Sequence, residues 1–210
     1  MAIVLPLSVS VEAYAAAGRD VEVEVPGCPD CASSMGRWSG YWRFVREAAT
    51  CFKVFVARAR CRSCGRAHAL LPPFCVLNRL DAADVIGAVI EAVAGGRSGV
   101  RPAALRADVP HTTARGWVRA FATNARRLRT AFGALAVELG GEAARVGADQ
   151  RGGALLAVRA SWQAAMSLPG WVALGLWCFT SAVCGGSFLA PNTNSPYLVV
   201  GSRRFMPPVP

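Results

Sequence analysis

Apolar positions change their period along this chain, and each change marks a different kind of element. Between Tyr41 and Val56 they fall in two short runs, Tyr41, Trp42, Phe44 and Val45, then Phe52, Val54, Phe55 and Val56. β-Branched and aromatic side chains suit a pleated, half-buried surface, so these runs, with proline and glycine around them, predict short antiparallel strands. From Asp81 the period turns helical. Ile86, Val89, Ile90 and Val93 share one face, Asp81 is placed to cap the N-terminus with Asp84 three residues on, and Gly95-Gly96 ends the helix. The longest pattern follows: Ala114, Val118, Phe121, Ala125, Leu128, Phe132, Leu135 and Leu139 alternate spacings of four and three, an apolar seam on one helix that stops at Gly140-Gly141. Such a seam must be covered, either by C-terminal helices of the same chain or by a second copy in a homodimer joined through residues 114–139.

Cysteine spacing adds chemistry to the first of these regions. Cys28-Pro29-Asp30-Cys31 and Cys61-Arg62-Ser63-Cys64 form two pairs separated by 29 residues. Each turn aims two thiolates at one point, and a hairpin that joins the turns supplies the tetrahedral four-sulfur shell favoured by Zn²⁺. The expected cofactor is one structural zinc per chain, held by Cys28, Cys31, Cys61 and Cys64, with no position left for water. The competing reading is a thioredoxin-like redox motif, against which stand the second pair and the lack of a βαβ pattern. His68 can replace a ligand, but with four cysteines already spaced it reads as a strand residue or as a donor to a ligand. Cys51, Cys75, Cys178 and Cys184 sit singly among apolar residues and read as buried small hydrophobes. The N-terminus imitates a signal peptide faintly. Its lack of a positive start, Pro6 within the apolar run and Glu12 favour a strand or extended segment and a reducing cytoplasm.

The formal charge is +10 and the isoelectric point about 9.9, which favours an anionic partner. That charge is focused: residues 37–66 carry eight basic side chains against Glu47 alone, and residues 97–129 carry eight against Asp108 alone. The second stretch fits a helix-turn-helix. Ala104 is small enough for a close helix crossing, Val109 fills the turn, and Trp117 and Val118 anchor a second helix on Ile86 and Val89. That helix begins near Pro110 and presents His111, Thr112, Thr113, Arg115 and Arg119 toward DNA, with Arg126, Arg127 and Arg129 further along. Asp108 stands where glycine is usual, and Gly116 interrupts the recognition helix. An ordinary helical hairpin with a solvated arginine face is the plainer alternative.

Together these features resemble an uncharacterised actinobacterial family of zinc-ribbon plus helix-turn-helix proteins, similar in layout to the DNA-binding N-terminal modules of insertion-sequence transposases. The resemblance rests on AAAGRD near the start, WSGY at 38–41, CRSCGRAHALLP at 61–72, AVAGGRSGVRPAALRADVPHTTARGWVRAF at 92–121 and APNTNSPYLVVG at 190–201. It implies DNA binding and a mobile-element setting, with no assigned activity. The expected fold class is α+β: a small antiparallel β zinc ribbon, then a helix-turn-helix and a helical C-terminal region. The expected divisions are 1–25, an N-terminal strand and lead-in; 26–76, the ribbon; 81–123, the helix-turn-helix; and 124–210, the long helix with a hydrophobic helical region.

No Asp or Glu follows Asp149, so the clustered carboxylates of a two-metal nuclease or transposase are missing. Nor is there a P-loop, a nucleophile elbow or a supported histidine triad, since His68 and His111 are the only histidines. The chain reads as a binder, located in the cytoplasm at the nucleoid, rather than an enzyme. Two other classes stay open. Residues 160–202 carry no charge, Trp171 to Ala190 has bilayer length, and Arg203-Arg204 follow, which allows a membrane-anchored ribbon protein. A helical hairpin, Ala154 to Met166 and Trp171 to Cys184 around Pro169-Gly170, explains the same residues. The other class is a protein-binding adaptor that uses the ribbon as its docking surface.

Overall fold

The structure is a computed structural model that describes residues 2–142, 149–169 and 173–190. Its class is α+β, with four strands that precede most of the helices. Strand β1 (Ala2–Val4) is followed by helix α1 (Val11–Ala17), then by a long hairpin of β2 (Met35–Glu47) and β3 (Thr50–Cys61), and by β4 (Ala67–Leu71). The sheet order is β1-β4-β3-β2, with β1 parallel to β4 and the other pairs antiparallel. The strands expected to be short are 13 and 12 residues long in the hairpin. Polar positions such as Ser39 and Arg60 keep their place in the ladder while facing solvent, so the strands outrun their apolar runs.

Residues 1–25 are more than a lead-in. Ser10 caps α1 by accepting a hydrogen bond from the Ala13 amide at 3.1 Å, and buried Val11 and Tyr14 turn the helix inward. Tyr14 meets Phe74 edge to face at 5.5 Å. The alternation of the strands then divides the core. Ala2, Val4, Val45, Val54, Val56 and Leu71 face the helices, whereas Ile3, Leu5, Ala57, Ala59 and Leu70 face the opposite side, where Cys28 and Cys61 are buried.

The helical side begins with α2 (Ala83–Ala94), whose N-cap is Ala82 and makes no side-chain capping bond. Asp81, expected as the cap, is instead turned back to the hairpin. Its buried carboxylate accepts from the half-buried Arg46 guanidinium at 2.7 Å, a charge-assisted bond, while the Ala82 and Ala83 amides at the helix start reach the carbonyls of Arg46 and Phe74. Short α3 (Val100–Arg106) leads through Ala107–Pro110 into α4 (His111–Glu138), which at 28 residues is about 42 Å long. Every seam residue from Ala114 to Leu135 is buried, and Leu139 is half-buried.

The cover comes from the same chain. Helix α5 (Gln150–Met166) buries Ala154, Leu155, Ala157, Val158, Ala164 and Ala165, and α6 (Leu176–Val183) buries Trp177 and Phe179. Phe121 lies 6.2 Å from Trp177 and Phe132 lies 6.4 Å from Phe179, ring centre to ring centre. The second arm of the expected C-terminal hairpin is thus shorter than Trp171 to Cys184. Its helix starts at Leu176, and Gly170, Trp171 and Val172 lie outside the described residues. Among the described residues no helix is long and apolar enough to cross a membrane. Arg203-Arg204 and most of the 190–201 stretch also lie outside them.

Candidate functional site

Two turns and one strand end bring the four paired cysteines together. Cys28 and Cys31 belong to a tight turn closed by the Cys28 amide on the Ser33 carbonyl at 2.8 Å, and its last residue, Ala32, is left-handed at φ 60°. The second turn repeats the design: the Cys61 amide reaches the Arg66 carbonyl at 2.8 Å, the Cys64 amide points at Cys61 Sγ at 3.5 Å, and Gly65 takes φ 71°. The pairing of Met35 with Cys61 in the β2–β3 ladder, together with a bond from the Arg62 amide to the Ser34 carbonyl, sets one turn against the other.

All four sulfur atoms lie within 4.8 Å of one another, with Cys28 to Cys64 at 3.7 Å and Cys31 to Cys61 at 3.4 Å. A tetrahedral Zn²⁺ with bonds of about 2.3 Å spaces its sulfurs about 3.8 Å apart, so the donor set fits a four-thiolate metal ion. Their acidities diverge. Hydrogen bonds from the Ser33 backbone and side chain, then from Cys61, bring Cys31 down to about 6. At Cys64 a backbone bond from Arg66 favours the thiolate but is outweighed by desolvation and the neighbouring thiols, and the group is pushed up to about 12. Sulfurs this close cannot all carry charge alone. A divalent cation at their centre would hold all four as thiolates.

His68, on β4, is buried at 1% exposure, and its Nε2 sits 3.8 Å from Cys28 Sγ and 3.5 Å from Asp30 Oδ2. Burial lowers its pKa, against the pull of Asp30, which favours the neutral ring, and a proton on Nε2 faces both Cys28 Sγ and Asp30 Oδ2. Cys28, Asp30 and His68 also form a second, overlapping group of three possible ligands. Asp30 escaped the sequence reading, although its place inside the first cysteine turn was the available signal. It holds Arg66 at 2.8 Å as well as facing His68.

The single cysteines divide. Cys75 and Cys184 are buried as expected, and desolvation pushes Cys75 up to about 12. Cys178 is half-buried and donates to Asp84 Oδ2 at 3.5 Å. Cys51 is exposed, a correction to its expected burial, because strand alternation near the hairpin end turns it to the face opposite Phe52, whose side chain packs against the helix-side core.

Along α4, His111, Thr112, Arg115, Arg119, Arg126, Arg127 and Arg129 are exposed and Thr113 is half-buried. At 100° per residue Thr112, Arg115, Arg119, Thr123 and Arg126 fall on one stripe opposite the buried seam, while His111 and Arg129 flank it. The turn before α4 has Asp108 left-handed at φ 51°, a conformation that Asp accepts better than most residues. Val109, just after it, is buried, and Ala103 and Ala104 of α3 are buried with it.

Residues 28–108 are similar to a family described as "Domain of unknown function (DUF6431)"; the match starts at the first of the four clustered cysteines, ends at the turn before α4 and spans less than half of the chain. No curated protein and no solved structure matches the chain.

Proposed function

We propose that this chain is a non-enzymatic DNA-binding factor of the cytoplasm, acting at the nucleoid, in which a structural zinc ribbon supports a helix-turn-helix made by α3 and α4. The observation that carries this reading is the division of α4. One face is sealed in the core from Ala114 to Leu135, and the opposite face offers Thr112, Arg115, Arg119 and Arg126 with no acidic residue among them. Arginine forks match guanine edges in a major groove and phosphates at its rim. The left-handed turn at Asp108 and small Ala104 are what a close crossing of the two helices needs. A regulator and a mobile-element factor both fit this arrangement.

A gel-shift selection from random duplexes tests it on the full chain. Replacing Arg115 or Arg119 by Ala should weaken the selected site by about 5- to 150-fold and relax its sequence preference. Arg126→Ala should weaken all duplexes alike and lower the salt slope by about 0.9. If Arg115→Ala and Arg119→Ala both leave duplex binding unchanged, the assignment of α4 is wrong. The same preparations should hold about one equivalent of zinc, lost in Cys61→Ser, since metal binding of about 10 to 16 kcal/mol is folding energy for a ribbon.

A further inference from the structure

The β2–β3 hairpin carries a second basic surface, one that owes nothing to α4. A bulge between Arg37 and Ser39 breaks the pleat at Trp38, whose ring is left 52% exposed. The Arg58 guanidinium lies 4.9 Å and that of Arg60 lies 5.5 Å from the Trp38 ring centre. Arg60 is held in place by donating Nε to the Gly65 carbonyl at 3.1 Å. Trp38, Arg60, Arg62 and Ser63 line an open cavity of about 460 Å³ that abuts Cys61. Its remaining cation, Arg37, is committed to the carbonyls of Val21 and Val23. No acidic side chain lines the cavity, and Arg58, Arg60 and Arg62 have no carboxylate partner among the described residues.

We infer that this cavity binds single-stranded nucleic acid, with a base stacked on Trp38 and the flanking phosphates held by Arg58, Arg60 and Arg62. Unpaired cations call for an anion. A half-exposed ring over which the Arg58 and Arg60 guanidinium groups lie accepts planar groups, and a nucleotide can displace one guanidinium with its base and take it up with its phosphate. The strand must be single because a duplex keeps its base faces inside its own stack. Position adds to the argument: Arg62 and Ser63 lie inside the second cysteine turn, so a metal at the four sulfurs would fix the cavity wall. An acidic peptide would use the arginines but has no need of Trp38.

Fluorescence anisotropy with a labelled oligo-dT, on the full metal-loaded chain, provides the test. Trp38→Ala should weaken binding by about tenfold or more, and Trp38→Phe should recover most of it. Arg62→Ala should weaken binding and lower the salt slope by about 0.7. Metal content and circular dichroism should match the unaltered protein, as expected for an exposed ring. A duplex of the same length should bind Trp38→Ala as tightly as the unaltered chain, whereas Arg115→Ala should show the reverse pattern, so the failure of one reading is separable from failure of the other. The inference is overturned if oligo-dT affinity does not change in Trp38→Ala, if duplex affinity falls equally, if oligoglutamate competes as well as oligo-dT, or if Trp38→Ala instead dissociates a dimer in sedimentation.

Discussion

At the scale of single residues, the two cysteine turns are near copies that differ where the chain turns left-handed. Gly65 takes φ 71° without a side chain, and Ala32 takes φ 60° with one. A β-carbon in that region costs about 1 to 2 kcal/mol. Ala32→Gly should therefore raise the stability of the metal-loaded protein by up to about 1 kcal/mol, less than the full strain because glycine also loosens the unfolded chain, and Gly65→Ala should lower it by a similar amount. Denaturant titration at constant zinc checks both, and equal midpoints in all three proteins would contradict the idea. The cluster of Cys28, Cys31, Cys61 and Cys64 was legible because thiol pairs at fixed spacing answer a single geometric demand. Asp30 and His68 were less so, since 38 positions separate them in the chain and only the register of β4 brings them together.

Among elements, α2 and α6 pack closely at Gly87. A methyl group on Gly87 would lie 2.0 Å from the Trp177 ring, whose Nε1 donates to Glu91 Oε1 at 3.2 Å on the same helix. Arg159 and Arg97 then close on the other oxygen of Glu91, at 3.1 and 3.4 Å. Gly87→Ala should unseat the indole and cost about 1 to 3 kcal/mol, read as a lower thermal midpoint and altered tryptophan emission. An unchanged midpoint would show that α6 can slide without loss. The long helix α4 was evident from its seam, because an amphipathic period repeated over seven turns has no competing explanation. Helix α1 was not: seven residues with three successive alanines, Ala15, Ala16 and Ala17, carry too little periodicity, and only Ser10 marked its start. The hairpin turn Ala48-Ala49 was equally silent. It contains none of the glycine or asparagine that left-handed turns favour, although Ala48 adopts φ 50°.

For the molecule as a whole, the seam and the C-terminal helices are complementary halves of one core. Removing residues 150–210 should expose Phe121 and Phe132, each worth about 1.5 to 3 kcal/mol of burial, and light scattering should show the remaining fragment aggregating. A stable, monomeric fragment of residues 1–149 would contradict this arrangement. That the two regions needed each other could be read from composition, since each has more apolar surface than it can cover. Which side chains meet could not, because the pairing of Phe121 with Trp177 depends on how α6 packs against α4, which no local pattern encodes. The same interlocking governs the order in which the chain can finish folding during synthesis. Ala2, Ile3 and Val4 leave the ribosome well before their partners Ala69, Leu70 and Leu71, which follow only after the whole hairpin. The segment after β4 is tied down later still, when Gly186 accepts from the Leu77 amide at 2.8 Å and Ser181 donates to the Cys75 carbonyl at 2.8 Å. At about 5 to 20 residues per second, β1 stays unpaired for a period on the order of seconds, during which chaperones and proteases compete with β4 for it.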